Sequence, residues 1–146
     1  MIAGRCRCGA ASYCLTSEEL PAVYACHCLD CQRWNSSAFG LHALLPEAAL
    51  SITGPVTEYT HAHERIQSTH YLCSHCHTRL YNKTTAAPGM IVLRAGTLDM
   101  SESIEPAAHI WTRRKQAWLT LPDDVPSWPE SPSPQDFMQA IQARFG

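Results

Sequence analysis

The chain has 146 residues, of which 45% are hydrophobic, and a formal net charge of -2 at neutral pH. This length predicts a single domain with one core. No apolar run approaches the ~18 residues that a membrane-spanning helix needs, so no membrane association is expected. The densest basic run, Arg113-Arg114-Lys115, is too short for the clustered phosphate contacts of a nucleic-acid-binding domain, so no nucleic-acid partner is expected.

The first motif is a C-x-C pair formed by Cys6 and Cys8. Such a pair can place two sulfurs on one side of a metal ion through a tight turn. Residues 11–15 then predict a strand that contains Cys14. A free cysteine commonly behaves as a small hydrophobe, so Cys14 is predicted to be buried and to lie outside any metal site.

The most informative motif is Cys26-His27-Cys28-Leu29-Asp30-Cys31, which places three potential thiolate ligands within six residues. Zinc is usually four-coordinate, and a structural site fills all four positions with protein atoms, whereas a catalytic site keeps one open. A short helix predicted over residues 29–34 would fold Cys31 back toward the other two cysteines. The motif therefore predicts a metal centre that lacks one protein ligand.

Short β-rich segments separated by turn residues dominate the remainder of the chain and predict a mainly β fold. The predicted strands cover residues 22–25, 38–45, 50–53, 56–60, 66–72 and 90–93.

A C-x-x-C pair, Cys73 and Cys76, can complete a tetrahedral site with Cys6 and Cys8. In a reducing cytosol, closely spaced cysteines favour metal ligation over structural disulfides. The sequence thus indicates a four-cysteine site and a separate three-cysteine centre, with disulfides as an alternative.

The end of the chain carries the signals of a second helix. Ser133 is the predicted N-cap and Pro134 the first helical residue. One apolar face, formed by Phe137, Ala140, Ile141 and Phe145, is expected to dock on the sheet or on a second subunit, which leaves a homodimer possible. The proline-rich segment from Leu121 to Pro134 predicts an extended, ordered strap or linker, which Trp128 can fix in place.

These motifs resemble the family of glutathione-dependent formaldehyde-activating enzymes, over about residues 4 to 130. The matching elements are Gly4-Arg5-Cys6-Arg7-Cys8-Gly9-Ala10, the Cys26 to Arg33 motif, Cys73-Ser74-His75-Cys76, Ala95-Gly96-Thr97-Leu98-Asp99, Glu105 to Ile110 and Lys115 to Trp118. We assign residues 1–130 to the zinc-binding domain and residues 131–146 to a helical extension of it.

The resemblance implies a zinc-bound β-tent, which is a mainly β sandwich. With the helix signals described above, the predicted fold also has a short helix after the catalytic cysteine motif and a C-terminal helix. It also implies two zinc ions per chain and a carbon-sulfur lyase that joins glutathione to formaldehyde as S-hydroxymethylglutathione. By position, the structural zinc ligands are Cys6, Cys8, Cys73 and Cys76, and the catalytic zinc ligands are Cys26, Cys28 and Cys31.

The sequence departs from the family pattern after Cys76, where His77 replaces the usual glycine. Histidine tolerates positive φ better than most residues, so the four sulfurs are still expected to converge. His77 and its neighbours His61, His63, His70 and His75 also offer nitrogen ligands, but a four-cysteine site is already complete.

Zinc held by three thiolates suits the activation of a thiol, which would bind as a thiolate and add to an aldehyde. Proton transfer requires a donor, for which His27, water and a nearby hydroxyl are candidates. Arg33 and Trp34, which follow Cys31 directly, are the predicted substrate-binding residues, and Arg33 could pair with a glutathione carboxylate. The sequence identifies neither the aldehyde nor the thiol.

Two other functions fit parts of the sequence. In a non-catalytic zinc module that binds a protein partner, the three-cysteine centre would take a fourth ligand from elsewhere in the chain. In a redox protein, Cys28 and Cys31 would cycle through a disulfide, but the alternation of strands and long helices typical of thioredoxin-like folds is absent. Because no apolar run follows the N-terminus, a cytoplasmic protein without a signal peptide is expected.

Overall fold

A computed structural model of the chain describes residues 1–145, without the side chains of Arg144 and Phe145. The chain forms two compact units. The first contains Met1–Pro21 and Ala43–Ile104, and the second contains Ala22–His42 and the residues from Glu105 onward. Each group of cysteines that the sequence predicts to bind metal lies within a single unit.

The first unit is built from antiparallel strands. A three-stranded sheet has the order β1-β2-β5. Four further strands pair in the order β9-β8-β7-β6. The strands are β1 (Ile2–Arg5), β2 (Ser12–Leu15), β5 (Leu50–Thr53), β6 (Val56–His63), β7 (Ile66–Cys73), β8 (Arg79–Thr84) and β9 (Met90–Arg94), with single 3-10 turns at Glu47–Ala49, Ala95–Thr97 and Ser101–Ser103.

The alternation of side chains along β2 explains where Cys14 lies. Tyr13 and Leu15 point into the core and are 2% and 1% exposed. Cys14, between them, points to the opposite face and is exposed. The prediction that Cys14 is buried is therefore wrong, because strand periodicity outweighs the general preference of cysteine for the interior. Cys14 does lie outside both cysteine groups, as predicted.

In the second unit, β3 (Tyr24–Cys26) pairs with β10 (Ala108–Ile110) in parallel and with the start of β4 (Gly40–Pro46) in antiparallel orientation. The helix α1 (Leu29–Asn35) follows β3, and Thr112–Arg114 forms a 3-10 turn. The apolar core of this unit contains small side chains from β3, β10, the residue before each of these strands, and the strap: Val23, Ala25, Ala107, Ala108 and Val125.

The helix α2 (Pro134–Phe145) begins where the sequence predicts. The backbone N–H of Asp136 donates to Ser133 Oγ at 3.1 Å, which confirms Ser133 as the N-cap. The Phe137 ring meets Tyr24 of β3 edge to face at 5.0 Å between centroids, so this face of the helix docks on the strand. The side chain of Phe145 lies outside the described residues, and a contact with a second subunit stays a prediction.

The proline-rich strap is ordered, as predicted. Trp128 N–H donates to the His109 carbonyl at 3.0 Å, and His109 N–H donates to the Pro126 carbonyl at 3.0 Å. These bonds attach the strap to β10. Further backbone hydrogen bonds run from residues 111–113 to the carbonyls of residues 128–130, so the backbone holds this segment in place. The centroid of the Trp128 ring lies 6.4 Å from that of the Phe137 ring.

The predicted mainly β fold, with a short helix after the three-cysteine motif and a C-terminal helix, is confirmed. The strands β1, β8 and β10 were missed, and β6 extends three residues beyond its predicted end. The division into residues 1–130 and 131–146 stays a prediction, and Gly146 lies outside the described residues. Between residues 1 and 145, no helix combines the length and the apolar character needed to cross a bilayer.

Candidate metal centres

Two tight turns bring four cysteines of the first unit together. In the first turn, the Ala11 N–H donates to Cys6 Sγ at 3.3 Å. In the second, the N–H groups of His75 and Cys76 lie 3.4 and 3.5 Å from Cys73 Sγ. Backbone donors aimed at sulfur stabilise the thiolate form, which is the form that binds a metal.

The spacing of these sulfurs fits a tetrahedral zinc site. Cys6 Sγ lies 3.6 Å from Cys8 Sγ, and Cys8 Sγ lies 3.8 Å from Cys73 Sγ. Zinc–sulfur bonds of about 2.3 Å place neighbouring sulfurs of a tetrahedron about 3.8 Å apart. Cys76 completes the group, in which all four sulfurs lie within 4.8 Å of one another. The Thr78 hydroxyl, 3.1 Å from Cys76 Sγ, lowers the pKa of Cys76 to about 5.

His77 adopts the left-handed conformation that its position in the second turn demands. Its φ is 63°, and its N–H donates to the Cys73 carbonyl at 2.9 Å. The prediction that histidine accommodates this turn is confirmed, since the four sulfurs converge. A left-handed conformation costs a residue other than glycine roughly 1–2 kcal/mol.

His77→Gly is therefore expected to stabilise the folded protein relative to a matched control, His75→Gly. His75 lies two residues away and does not have positive φ. Both variants gain the same flexibility in the unfolded chain, but only His77→Gly relieves strain. We expect the free energy of unfolding of His77→Gly to exceed that of the control by about 1 kcal/mol in urea denaturation. Equal stabilities would show that His77 is not strained.

The three-cysteine centre is built in the second unit by the end of β3 and the start of α1. Cys26 is the last residue of β3, and Cys28 is the N-cap of α1, where its Sγ accepts a hydrogen bond from the Cys31 N–H at 3.3 Å. The three sulfurs lie within 4.8 Å of one another. Cys26 and Cys31 are buried, and Cys28 is partly exposed. The predicted convergence of these residues is confirmed.

The three cysteines of this centre differ in pKa. Hydrogen bonds from Cys26 and then Cys31 lower the pKa of Cys28. The contact with Cys28 raises the pKa of Cys26, and the contacts with Cys26 and then Cys28 raise the pKa of Cys31. Three sulfurs this close cannot all ionise without a cation between them. Such an arrangement fits a divalent metal, which would displace the thiol protons and offset two of the three thiolate charges.

His27, which lies between two of these cysteines in the sequence, pairs with a second histidine. Its side chain is fully buried, and its Nε2 lies 2.9 Å from His109 Nδ1. Burial, followed by the charges of His109 and Lys115, lowers the pKa of His27 to about 4. Neither ring nitrogen of His27 belongs to the set of sulfurs, so ligation by this histidine is not supported.

A groove of about 880 Å³ lies along α1 and opens to solvent. Arg33 lies on its wall, whereas Trp34 is 39% exposed and is not one of the lining residues. Substrate binding by either residue stays a prediction. Gln32 fixes one wall because its Nε2 donates to the carbonyls of His27 and Arg114 at 2.8 and 2.9 Å. The remaining lining residues are Leu29, Ser36, Ser37, Ala38, Phe39, Gln116 and Trp118.

The histidines on β6 and β7 do not join the four-cysteine group. His61 Nε2 lies 3.0 Å from His70 Nε2, and Arg79 Nη1 donates to His70 Nδ1 at 3.2 Å. His63 and His75 are also outside the group in the described chain. The four cysteines therefore remain the complete candidate ligand set, as the sequence predicts.

His70 gives the protein a testable pH dependence. Burial, with smaller effects from Arg79, Arg94 and His61, lowers the pKa of His70 to about 3. The unfolded chain, with a histidine pKa near 6.5, therefore binds a proton that the folded state does not, and stability falls as pH falls below about 6.5. Between pH 7 and pH 5 we expect wild type to lose about 1–2 kcal/mol more than His70→Gln in urea denaturation. Identical pH profiles would contradict this assignment.

Three residues near the centre were not predicted from the sequence. His42 of β4 has its Nε2 3.7 Å from Cys31 Sγ, and His109 pairs with His27. Trp118 is 71% exposed beside the groove. His109 and Trp118 lie within the motifs at residues 105–110 and 115–118, but no local pattern indicates their contacts, because these depend on pairing between distant segments.

The fold and the cysteine groups together define a mainly β protein with two candidate metal sites, one complete in protein ligands and one with three sulfurs. Comparison with known proteins makes this class more specific. Residues 1–114 match the family model described as "Glutathione-dependent formaldehyde-activating enzyme". The chain belongs to this family, which confirms the resemblance seen in the sequence.

A solved structure supports the fold. The crystal structure of a Rhodobacter sphaeroides protein is similar with a TM-score of 0.54 and 18% identity, over 71% of this chain and 91% of that one. At this identity the similarity concerns the fold alone. No curated protein matches the chain.

Proposed function

We propose that this protein is a zinc-dependent carbon-sulfur lyase that forms or cleaves the adduct of a thiol and an aldehyde, with glutathione and formaldehyde as the first substrates to test. The observation that carries the proposal is the group of three sulfurs within 4.8 Å of one another, with no fourth His, Cys, Asp or Glu ligand atom in the same set between residues 1 and 145. A metal bound there would have a position for a substrate atom.

The proposed ligands are Cys26, Cys28 and Cys31 for the catalytic zinc, with Cys6, Cys8, Cys73 and Cys76 for a structural zinc. When bound at the three-cysteine centre, zinc would supply a positive charge that stabilises a substrate sulfur as thiolate at neutral pH. Because Cys26 and Cys31 are buried and Cys28 is partly exposed, substrate would approach from the side of Cys28.

The reaction joins the thiol R–SH and formaldehyde into R–S–CH2OH. One carbon–sulfur bond forms, the carbonyl π electrons move to oxygen, and the thiol proton ends on that oxygen; the reverse reaction breaks the same bonds. Among the candidate proton donors, His27 is fully buried and hydrogen-bonded to His109, which argues against direct contact with substrate. A groove hydroxyl from Ser36 or Ser37, or a water molecule, fits this role better.

The groove along α1 suits the peptide part of a glutathione-like substrate. Arg33 offers a guanidinium group for a carboxylate, and the Trp118 ring offers an exposed apolar surface. Trp34 remains a proposed contact at the exposed end of α1. The chemistry is assigned to the reducing cytoplasm, where thiolate ligands persist.

Exchange NMR spectroscopy tests this function directly. Glutathione and formaldehyde equilibrate with S-hydroxymethylglutathione without a catalyst, so the measured quantity is the exchange rate with and without zinc-loaded protein. We expect acceleration that depends on protein concentration, and a rate at background for a protein lacking the three-cysteine centre. No acceleration with glutathione or with any other small thiol would refute the lyase assignment and favour a non-catalytic zinc module.

A further inference from the structure

An imidazole lies directly beside one ligand of the three-cysteine centre. His42 Nε2 is 3.7 Å from Cys31 Sγ, and the His42 residue is only 7% exposed. The ring nitrogens of His42 are nevertheless not part of the set in which the cysteine sulfurs lie within 4.8 Å of one another. His42 therefore contacts the sulfur of Cys31 without joining the three cysteines as a fourth candidate ligand.

The local backbone keeps a space for this imidazole. In the pairing of β3 with β4, Cys26 is opposite Gly40, and Tyr24 is opposite His42. A Cβ atom on Gly40 would lie 2.8 Å from His42 Nε2, which is closer than such atoms pack. The absence of a side chain at residue 40 thus allows the ring to reach Cys31. The Tyr24 ring contacts the imidazole edge to face at 5.3 Å and holds its orientation.

Asn35 also borders the space beside Gly40, and it forms a hydrogen bond with the backbone of Cys31. Its Nδ2 would be 2.9 Å from a Cβ atom on Gly40, and it donates to the Cys31 carbonyl at 2.8 Å. The backbone of Cys31 is thereby fixed at the same time as its sulfur is contacted. Two polar side chains, from α1 and β4, therefore hold this ligand in position.

We propose that His42 is a positioning residue whose Nε2–H donates a hydrogen bond to the Cys31 thiolate and so sets the metal affinity of the three-cysteine centre. A metal-bound thiolate carries no proton, so the imidazole must be the donor in this pair. Removing a side chain that is hydrogen-bonded to a metal ligand commonly weakens metal binding by about 10- to 100-fold.

The hydrogen bond also affects how readily a substrate thiolate binds to the metal. This second consequence rests on the proposed function. A divalent ion with three thiolates has a net charge of about -1, and a fourth thiolate from substrate makes it about -2. A donor at Cys31 Sγ withdraws charge from that sulfur and makes the fourth thiolate less unfavourable. His42 would therefore favour binding of a substrate as thiolate.

A matched pair of variants tests the role of Nε2. The side-chain amide nitrogen of His42→Gln can occupy the position of Nε2, whereas that of His42→Asn reaches only the position of Nδ1. In competition with a chelator, we expect His42→Asn to bind Co²⁺ at the three-cysteine centre about 10- to 100-fold more weakly than wild type, and His42→Gln to stay within about threefold. If His42→Asn fails to fold, His42→Leu, which is apolar, replaces it.

The cobalt spectrum separates a hydrogen-bond donor from a ligand. We expect all folded variants to keep two cobalt ions per chain and tetrahedral d–d bands, with a shift of the sulfur-to-cobalt charge-transfer band in His42→Asn alone. Unchanged affinity in His42→Asn would overturn the proposal. Loss of one ion, or a changed coordination pattern in His42→Gln, would also overturn it by making His42 a direct ligand.

Glutathione titration of the same cobalt proteins distinguishes failure of this inference from failure of the proposed function. Weaker glutathione binding in His42→Asn than in wild type is expected. If wild type does not bind glutathione while the affinity pattern for cobalt holds, the proposed function fails and the role of His42 stands. If all three proteins bind glutathione equally, the substrate consequence of the hydrogen bond is refuted.

Discussion

Cys73→Ser is expected to prevent stable folding of the protein. Cys73 is fully buried at the end of β7, where its sulfur accepts backbone N–H groups and lies 3.8 Å from Cys8 Sγ. Structural zinc contributes apparent binding free energies of about 10–16 kcal/mol in small zinc domains. A domain of this size has a total free energy of unfolding of about 5–15 kcal/mol. The loss of this metal would therefore remove more stability than the apolar core can offset.

The measurement is circular dichroism with thermal denaturation, together with metal analysis of whatever protein remains in solution. Cys14→Ser is the matched control, because Cys14 is exposed on β2 and lies outside both cysteine groups. We expect the control to keep the wild-type melting temperature and metal content. A folded Cys73→Ser protein with an unchanged melting temperature would count against the structural role of the four-cysteine site.

Cys28→Ser is expected to abolish activity while leaving the fold intact. Cys28 is the N-cap of α1, and a serine hydroxyl can accept the same hydrogen bond from the Cys31 N–H. Helix α1 should therefore persist, whereas only two thiolates would remain for the metal. We expect the zinc content to fall from about two to about one per chain, and thiol–aldehyde exchange to fall to the uncatalysed rate.

Inductively coupled plasma analysis and exchange NMR on the same samples measure both effects, again with Cys14→Ser as the control. A Cys28→Ser protein that retains two zinc ions would mean that other groups hold the second ion. A variant that loses one zinc but keeps full activity would show that the reaction does not take place at the three-cysteine centre.

Local signals in the sequence predicted the parts of the structure that depend on neighbouring residues. The spacing of Cys26, Cys28 and Cys31 requires the chain to turn back within six residues, and α1 does so. Ser133 and Pro134 define the start of α2 through contacts inside one helical turn. The positive φ of His77 likewise follows from the tight turn between two ligands.

Features that depend on distant pairing could not be read in this way. The short strand β10 exists because it pairs with β3, some 80 residues earlier, and that pairing places His109 against His27. His42 reaches Cys31 only because Gly40 is opposite Cys26 in the sheet. Cys14 was misplaced for a different reason, since the prediction used residue type where strand alternation decides.

The proposed function requires that the three-cysteine centre accept a sulfur from outside the chain. Crystals of zinc-loaded protein soaked with glutathione provide the test. We expect a fourth sulfur, that of glutathione, at about 2.3 Å from the zinc held by Cys26, Cys28 and Cys31. A zinc whose fourth ligand in those crystals is a protein atom, such as His42 Nε2, would contradict it.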